Sequence, residues 1–124
     1  MPALNNEKKN SWHIDHNDLR TAKFSDLNGA MLVMFDADTV IYPKETAWFQ
    51  SLDNKGNVLP LNGTDFYNQD FIGVKALNEA GKIQFVSLPG DHLQFTQDDI
   101  ENTFIPFLNQ WLQSPKLVRQ ILRV

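Results

Sequence analysis

Two short apolar runs constrain the fold of this chain more than any other feature. Residues 30–35 read Ala-Met-Leu-Val-Met-Phe, and residues 83–88 read Ile-Gln-Phe-Val-Ser-Leu. Each is short, apolar and bounded by chain breakers, which is the pattern of a strand. The first run is continuously apolar, so it suits a strand covered on both faces, as parallel strands are. Pro89 and Gly90 stop the second, because proline has no N–H for a ladder and glycine accepts a sharp turn. His92 is thereby left just past the carboxyl edge of its strand. Open α/β sheets hold ligands and catalytic groups at that edge.

The flanking segments complete two α/β units. Residues 1–14 are polar and irregular. Asp15 or Asn17 can cap a short helix over 18–27, which Asn28-Gly29 ends before the first strand. Residues 45–49 are predicted to make one helical turn, 52–61 a loop or hairpin, and 69–77 a short helix closed by Ala80-Gly81. Thr96 caps a final helix, with Asp98, Asp99 and Glu101 in its first turn. Ile100, Phe104, Phe107, Leu108 and Trp111 recur at helical spacing and are predicted to face the sheet. Pro106 falls inside that pattern and predicts a kink or a restart. Residues 115–124 form a short basic amphipathic tail with Leu117, Val118, Ile121 and Leu122 on one side.

Bulk properties narrow the function classes. A chain of 124 residues holds at most one small domain. Its net charge of −4 argues against nucleic acid or an anionic membrane as partner. With no cysteine, disulfides and thiolate metal sites are excluded. His13-Ile-Asp-His16 has the spacing of a metal-ligand pair but no third or fourth ligand in view, so a solvated loop is the reading. No apolar run approaches the roughly 18 residues of a membrane span. The polar stretch after Leu4 leaves no room for a signal peptide, which predicts a chain that stays in the cytosol as written. The one sequon is Asn62-Gly63-Thr64, a glycosylation candidate at Asn62 if the chain is secreted.

Each predicted strand runs into a loop with a chemically capable side chain: Asp38 after the first, His92 after the second. A carboxylate that accepts a hydrogen bond from His Nδ1–H fixes the tautomer and leaves Nε2 free to take a proton from a serine hydroxyl. The order Asp then His is that of the last two members of an α/β-hydrolase triad. Asp36 rivals Asp38, because strand alternation would put both on one side. Asp91 reads as a turn residue. Val40, Ile41 and Tyr42 either wall an acyl groove or pack beneath the loop, and Trp48 and Phe49 read as core anchors.

The wording of these segments is more specific than their spacing. Val-Met-Phe-Asp-Ala-Asp-Thr-Val-Ile-Tyr-Pro at 33–43 is followed by Trp48-Phe49, Asn-Gln-Asp at 68–70 and Ile-Gly-Val-Lys-Ala-Leu at 72–77. Ala80-Gly81, Gly-Asp-His-Leu-Gln at 90–94 and Ile-Pro-Phe-Leu at 105–108 follow in turn. Over about residues 5–108 this resembles the C-terminal part of the palmitoyl-protein thioesterases, the type 1 branch of lysosomal α/β-hydrolases. The resemblance implies the last strands of a mostly parallel sheet, the His loop and the final helix, with 109–124 as an extension. It implies removal of long-chain fatty acyl groups from cysteine thioesters of S-acylated proteins, with no cofactor and no metal. Asp38 and His92 match the triad aspartate and histidine, and Val40 and Ile41 become acyl-groove candidates. A lysosomal location follows from the resemblance and conflicts with the polar N-terminus.

Two departures stand out. Ala37 lies where such enzymes can carry a glycosylated Asn, and no Gly-x-Ser-x-Gly occurs anywhere in the chain. The 124 residues by themselves are therefore expected to be inactive, with a complementing N-terminal segment as one possible partner. The alternative function is a non-catalytic truncated paralogue or isoform that acts only by binding a partner. A third reading keeps the hydrolase fold and moves the substrate to an oxygen ester.

Overall fold

A computed structural model of the chain describes residues 22–111. His13, His16, the start of the 18–27 helix and the 115–124 tail lie outside the described residues; 22–25 are helical. The two apolar runs are both strands, β1 (Ala30–Phe35) and β4 (Ile83–Leu88). They pair in parallel, with Ala30 opposite Ile83 and Phe35 opposite Leu88. A parallel pair needs a long crossover. Here the crossover holds a 3₁₀ turn (Lys44–Trp48), a hairpin of β2 (Ser51–Leu52) and β3 (Val58–Leu59), and two short helices (Asp65–Asn68 and Val74–Glu79). The result is a small α/β arrangement.

Each crossover piece has a local cause. Asp53 Oδ1 accepts from the Lys55 and Asn57 N–H groups at 2.8 and 2.9 Å, and Gly56 takes φ 83°, which together turn the hairpin. Trp48 donates its indole N–H to Leu32 O (3.1 Å) and Val86 O (3.3 Å), and its ring meets Phe85 edge-on. Phe49 stacks on Phe66 with centroids 5.4 Å apart. Both aromatics are packing anchors, as their sequence context predicts. Val74 and Leu77, three apart on one helix face, are the most deeply buried side chains, each 1 % exposed.

Three expectations need correction. The helix predicted over 69–77 begins only at Val74, because residues 69–73 are a break between the helices Asp65–Asn68 and Val74–Glu79. Asp70 has φ 49° and turns its carboxylate onto the N–H groups of Lys75 (2.9 Å) and Ala76 (3.2 Å), capping the second helix from outside. Gly73 supplies the left-handed residue (φ 96°) that lets the chain re-enter. β1 is not covered on both faces: Met34 and Phe35 are buried, but 30–33 are only half-buried. Its sheet has two strands among the described residues, too few to enclose it.

The final helix is the third correction. Thr96 caps the helix, as its sequence promises, and does so in a reciprocal capping box with Asp99. The helix then widens into a π segment (Ile100–Phe104) and resumes as α at Ile105–Asn109. Pro106 has no N–H and its ring crowds the carbonyl four residues earlier, so the turn before it must open. That widening shifts the phase of the apolar stripe. Phe104, Phe107 and Trp111 stay half-buried, while Ile100 and Leu108 are exposed rather than facing the sheet. Trp111 lies so close to Gly29 that a Cβ there would sit 2.8 Å from the indole Cζ2. The glycine before β1 thus serves helix packing as well as the turn.

Candidate active site

The parallel ladder does not stop where the strands end. Asp36 N–H donates to Leu88 O and Ala37 N–H to Gly90 O, each at 2.9 Å. The loops that follow β1 and β4 therefore leave the sheet side by side. Gly90 has φ 103°, a conformation that disfavours any side chain, and lies against Gln94. The Gln94 Oε1 accepts from Asp91 N–H at 2.9 Å, and Gln94 N–H returns a bond to Asp91 O at 3.0 Å. This closed turn carries His92.

Asp38 and His92 meet across the two loops, with Asp38 Oδ2 2.9 Å from His92 Nδ1. The other carboxylate oxygen accepts the N–H groups of Val40 and Ile41, both at 2.9 Å. Asp38 is thus held by its own loop on one oxygen and presents the second to the imidazole. With a carboxylate as partner, Nδ1 carries the proton and Nε2 keeps its lone pair. The Asp38 side chain is 7 % exposed and that of His92 is 32 % exposed, so the carboxylate is covered while the imidazole is reachable.

Electrostatics favour an ionised Asp38. Partial burial pushes its carboxyl up, but the Ile41 N–H, the His92 hydrogen bond, the Val40 N–H and the charge His92 carries when protonated together hold it below its ordinary value. Asp91 is also held low, by the Thr39 N–H and hydroxyl and then by the His92 N–H. Asp53 is held low by Asn57 and by turn N–H groups. A carboxylate that binds its proton less readily when folded contributes stability above its unfolded pKa and loses it as pH falls through the folded one. Resistance to urea is therefore expected to be flat above the ordinary carboxylate value of 3.8 and to fall below it. Urea midpoints measured across that range check this, and an unchanged midpoint at lower pH contradicts it.

The rival Asp36 does something else. Its Oδ1 accepts from the Ser87 hydroxyl, and its carbonyl takes the Lys44 ammonium at 2.7 Å. Alternation along a strand does not relate Asp36 to Asp38, because β1 ends at Phe35 and a turn with Asp38 N–H on Phe35 O follows. Val40, Ile41 and Tyr42 are 66, 39 and 87 % exposed, so none of the three packs as core beneath the loop. Asn62 is exposed in a 3₁₀ turn (Leu61–Gly63), while Thr64 of the same sequon is buried and caps the next helix through Tyr67 N–H. No group of three or more metal-ligating side chains occurs among the described residues. No described helix is long and apolar enough to cross a membrane.

Sequence reasoning undervalued Thr39 and Asp91. Asp91 is a turn residue, as expected, but its carboxylate also reaches across to the other loop. Oδ1 accepts the Thr39 N–H at 2.7 Å, and the Thr39 hydroxyl lies 2.9 and 2.7 Å from the two oxygens. The signal was available in outline: aspartate in a Gly-x-His turn tends to bond nearby N–H groups. Its long-range partner was not.

Comparison with known proteins places the chain in a family. The family model for palmitoyl protein thioesterase matches residues 1–92, a span that contains both Asp38 and His92. The chain is 36 % identical to palmitoyl-protein thioesterase 1 of Caenorhabditis elegans over 85 % of its own length and 34 % of that protein's. It is 30 % identical to the lysosomal thioesterase PPT2 homolog of Drosophila melanogaster, over 88 % of the chain and 38 % of the relative. Palmitoyl-protein thioesterase 3 of Dictyostelium discoideum is 29 % identical over 66 % of the chain and 31 % of the relative. The chain spans about a third of the length of these curated relatives. With a family model matched over most of its residues and thioesterases among its relatives, the chain belongs to the palmitoyl protein thioesterase family.

Proposed function

We propose that this chain supplies the aspartate and histidine of a palmitoyl-protein thioesterase. The observation that carries the reading is the 2.9 Å contact between Asp38 Oδ2 and His92 Nδ1 at the carboxyl ends of two parallel strands. His92 Nε2 takes the proton of a serine hydroxyl as that oxygen attacks the thioester carbonyl. Asp38 holds the imidazole in the required tautomer and stabilises the imidazolium. The proton then passes toward the departing thiol. A thiolate leaves readily, so this acid step matters less than it would for an amide. The acyl-enzyme is released by water activated at the same Nε2.

The serine belongs to a segment outside these 124 residues, which contain no Gly-x-Ser-x-Gly. In this reading about residues 5–108 are the C-terminal strands, His loop and final helix of an α/β-hydrolase, and 109–124 are an extension. Among the described residues the sheet has two half-exposed strands, which supports further neighbouring strands, because an isolated strand pair leaves apolar faces in water. Val40 and Ile41, exposed beside the carboxylate they bond to, line the acyl groove. Substrates are S-acylated proteins or peptides, and the compartment is the lysosome, where Asn62 would carry a glycan.

The 124-residue chain on its own is expected not to hydrolyse a palmitoyl thioester. The check is a thiol-release assay with purified chain. Turnover by the wild type that disappears in His92→Ala would contradict the need for an external nucleophile.

A further inference from the structure

We propose that Asp91 is a positioning residue: by gripping Thr39 on one loop and the His92 N–H on the other, its carboxylate keeps the imidazole aligned with Asp38. This deepens the thioesterase reading and rests on it.

Gln94 closes the turn on Asp91 and Ala37 N–H reaches Gly90 O, but the N–H of His92 itself is held by the Asp91 carboxylate. The residue before the clamp, Gly90, is left-handed at φ 103°, and the residue after His92, Leu93, is left-handed at φ 58°. Neither strand nor helix runs through the turn. The His92 N–H donates to Asp91 Oδ1 at 2.7 Å. That same oxygen takes the Thr39 N–H at 2.7 Å. Thr39 directly follows Asp38 in the chain. One carboxylate therefore joins the residue beside the orienting carboxylate to the backbone of the base.

Among the described residues, hydrogen bonds between the two loops beyond Ala37 are those of Asp91 and the Asp38–His92 pair itself. Without the clamp, the pair would have to hold its own loops together. A side-chain contact between two turns gives up its geometry readily when the turns are free to separate, and misplacement by about 1 Å costs up to about 10²-fold in rate. Thr39 needs both its N–H, supplied by the backbone, and its hydroxyl. Serine retains both and valine retains only the first.

The test uses the full chain and the Nδ1–H proton resonance of His92, assigned by its disappearance in His92→Gln. Asp91→Ala is expected to broaden or erase this resonance while amide signals elsewhere persist. Thr39→Val weakens it, and Thr39→Ser restores it. Asp38→Asn is the control for the pair. Loss in Asp38→Asn with a native resonance in Asp91→Ala overturns the clamp and leaves the pair standing. A native resonance in Asp38→Asn overturns the pair itself.

Turnover in a complete thioesterase carrying this segment gives an independent readout, and there the milder Thr39→Val, which removes the hydroxyl's share of the clamp, serves if Asp91→Ala prevents folding. The clamp predicts a kcat lowered by up to about 10²-fold with KM unchanged. A lower melting temperature with native kcat overturns it.

Discussion

Replacing His92 by alanine in a complete thioesterase that carries this segment is expected to lower kcat by about 10⁶-fold, the scale on which serine hydrolases lose activity when the base is removed. The cause is specific. A serine hydroxyl does not give up its proton at neutral pH without a positioned acceptor, and the proposed acceptor is Nε2 of His92. Asp38 occupies Nδ1 of the same ring, so the two nitrogens have separate duties. Binding of the acyl chain does not pass through the imidazole, and KM should hardly move. Stopped-time assays with a palmitoyl thioester measure both constants. A loss of only a few-fold would mean that another group takes the proton.

Asp38→Asn should cost about 10⁴-fold in kcat, by analogy with triads in which the same change leaves the wrong tautomer. The substitution is nearly isosteric. An amide oxygen can still accept the Val40 and Ile41 N–H groups that Asp38 accepts at 2.9 Å, so the loop keeps its shape. What changes is the atom facing His92. An amide NH₂ there demands an acceptor at Nδ1, which forces the proton onto Nε2 and removes the base. Asp36→Asn is the matched control, since Asp36 bonds Ser87 and not the imidazole. It should leave the rate near that of the wild type. Equal losses in the two variants would indicate a general charge effect in place of an orienting one.

Much of this site was legible in the residues, and the reasons are physical. Short apolar runs, one begun after Gly29 and the other ended by Pro89 and Gly90, mark strands because those breakers act locally. Thr96 marks a helix start for the same reason, and it does cap the helix, with Asp99 closing a capping box that the sequence reading does not name. Strand ends and chain order lead to His92 and to either Asp36 or Asp38, and the family resemblance favours Asp38 of the two. What escaped was non-local or depended on phase. The Asp70 carboxylate prefers the N–H groups of Lys75 and Ala76 to a place inside a helix, and propensity does not reveal that choice. Pro106 announced a disturbance, but not that it would be a π segment that turns Ile100 and Leu108 outward. The period-2 argument tied Asp36 to Asp38 only because it ran past the end of β1. Asp91 reaches Thr39 from a different strand's loop, 52 positions away, and no local pattern encodes that pairing.

One measurement bears most directly on the central claim: thioester turnover by this chain joined to the serine-bearing N-terminal part of a palmitoyl-protein thioesterase. The account predicts release of thiol from a palmitoylated peptide by the joined protein, and loss of that activity in both His92→Ala and Asp38→Asn. Undiminished turnover in those two variants would contradict it, and the 2.9 Å pair would then be a structural contact between two loops.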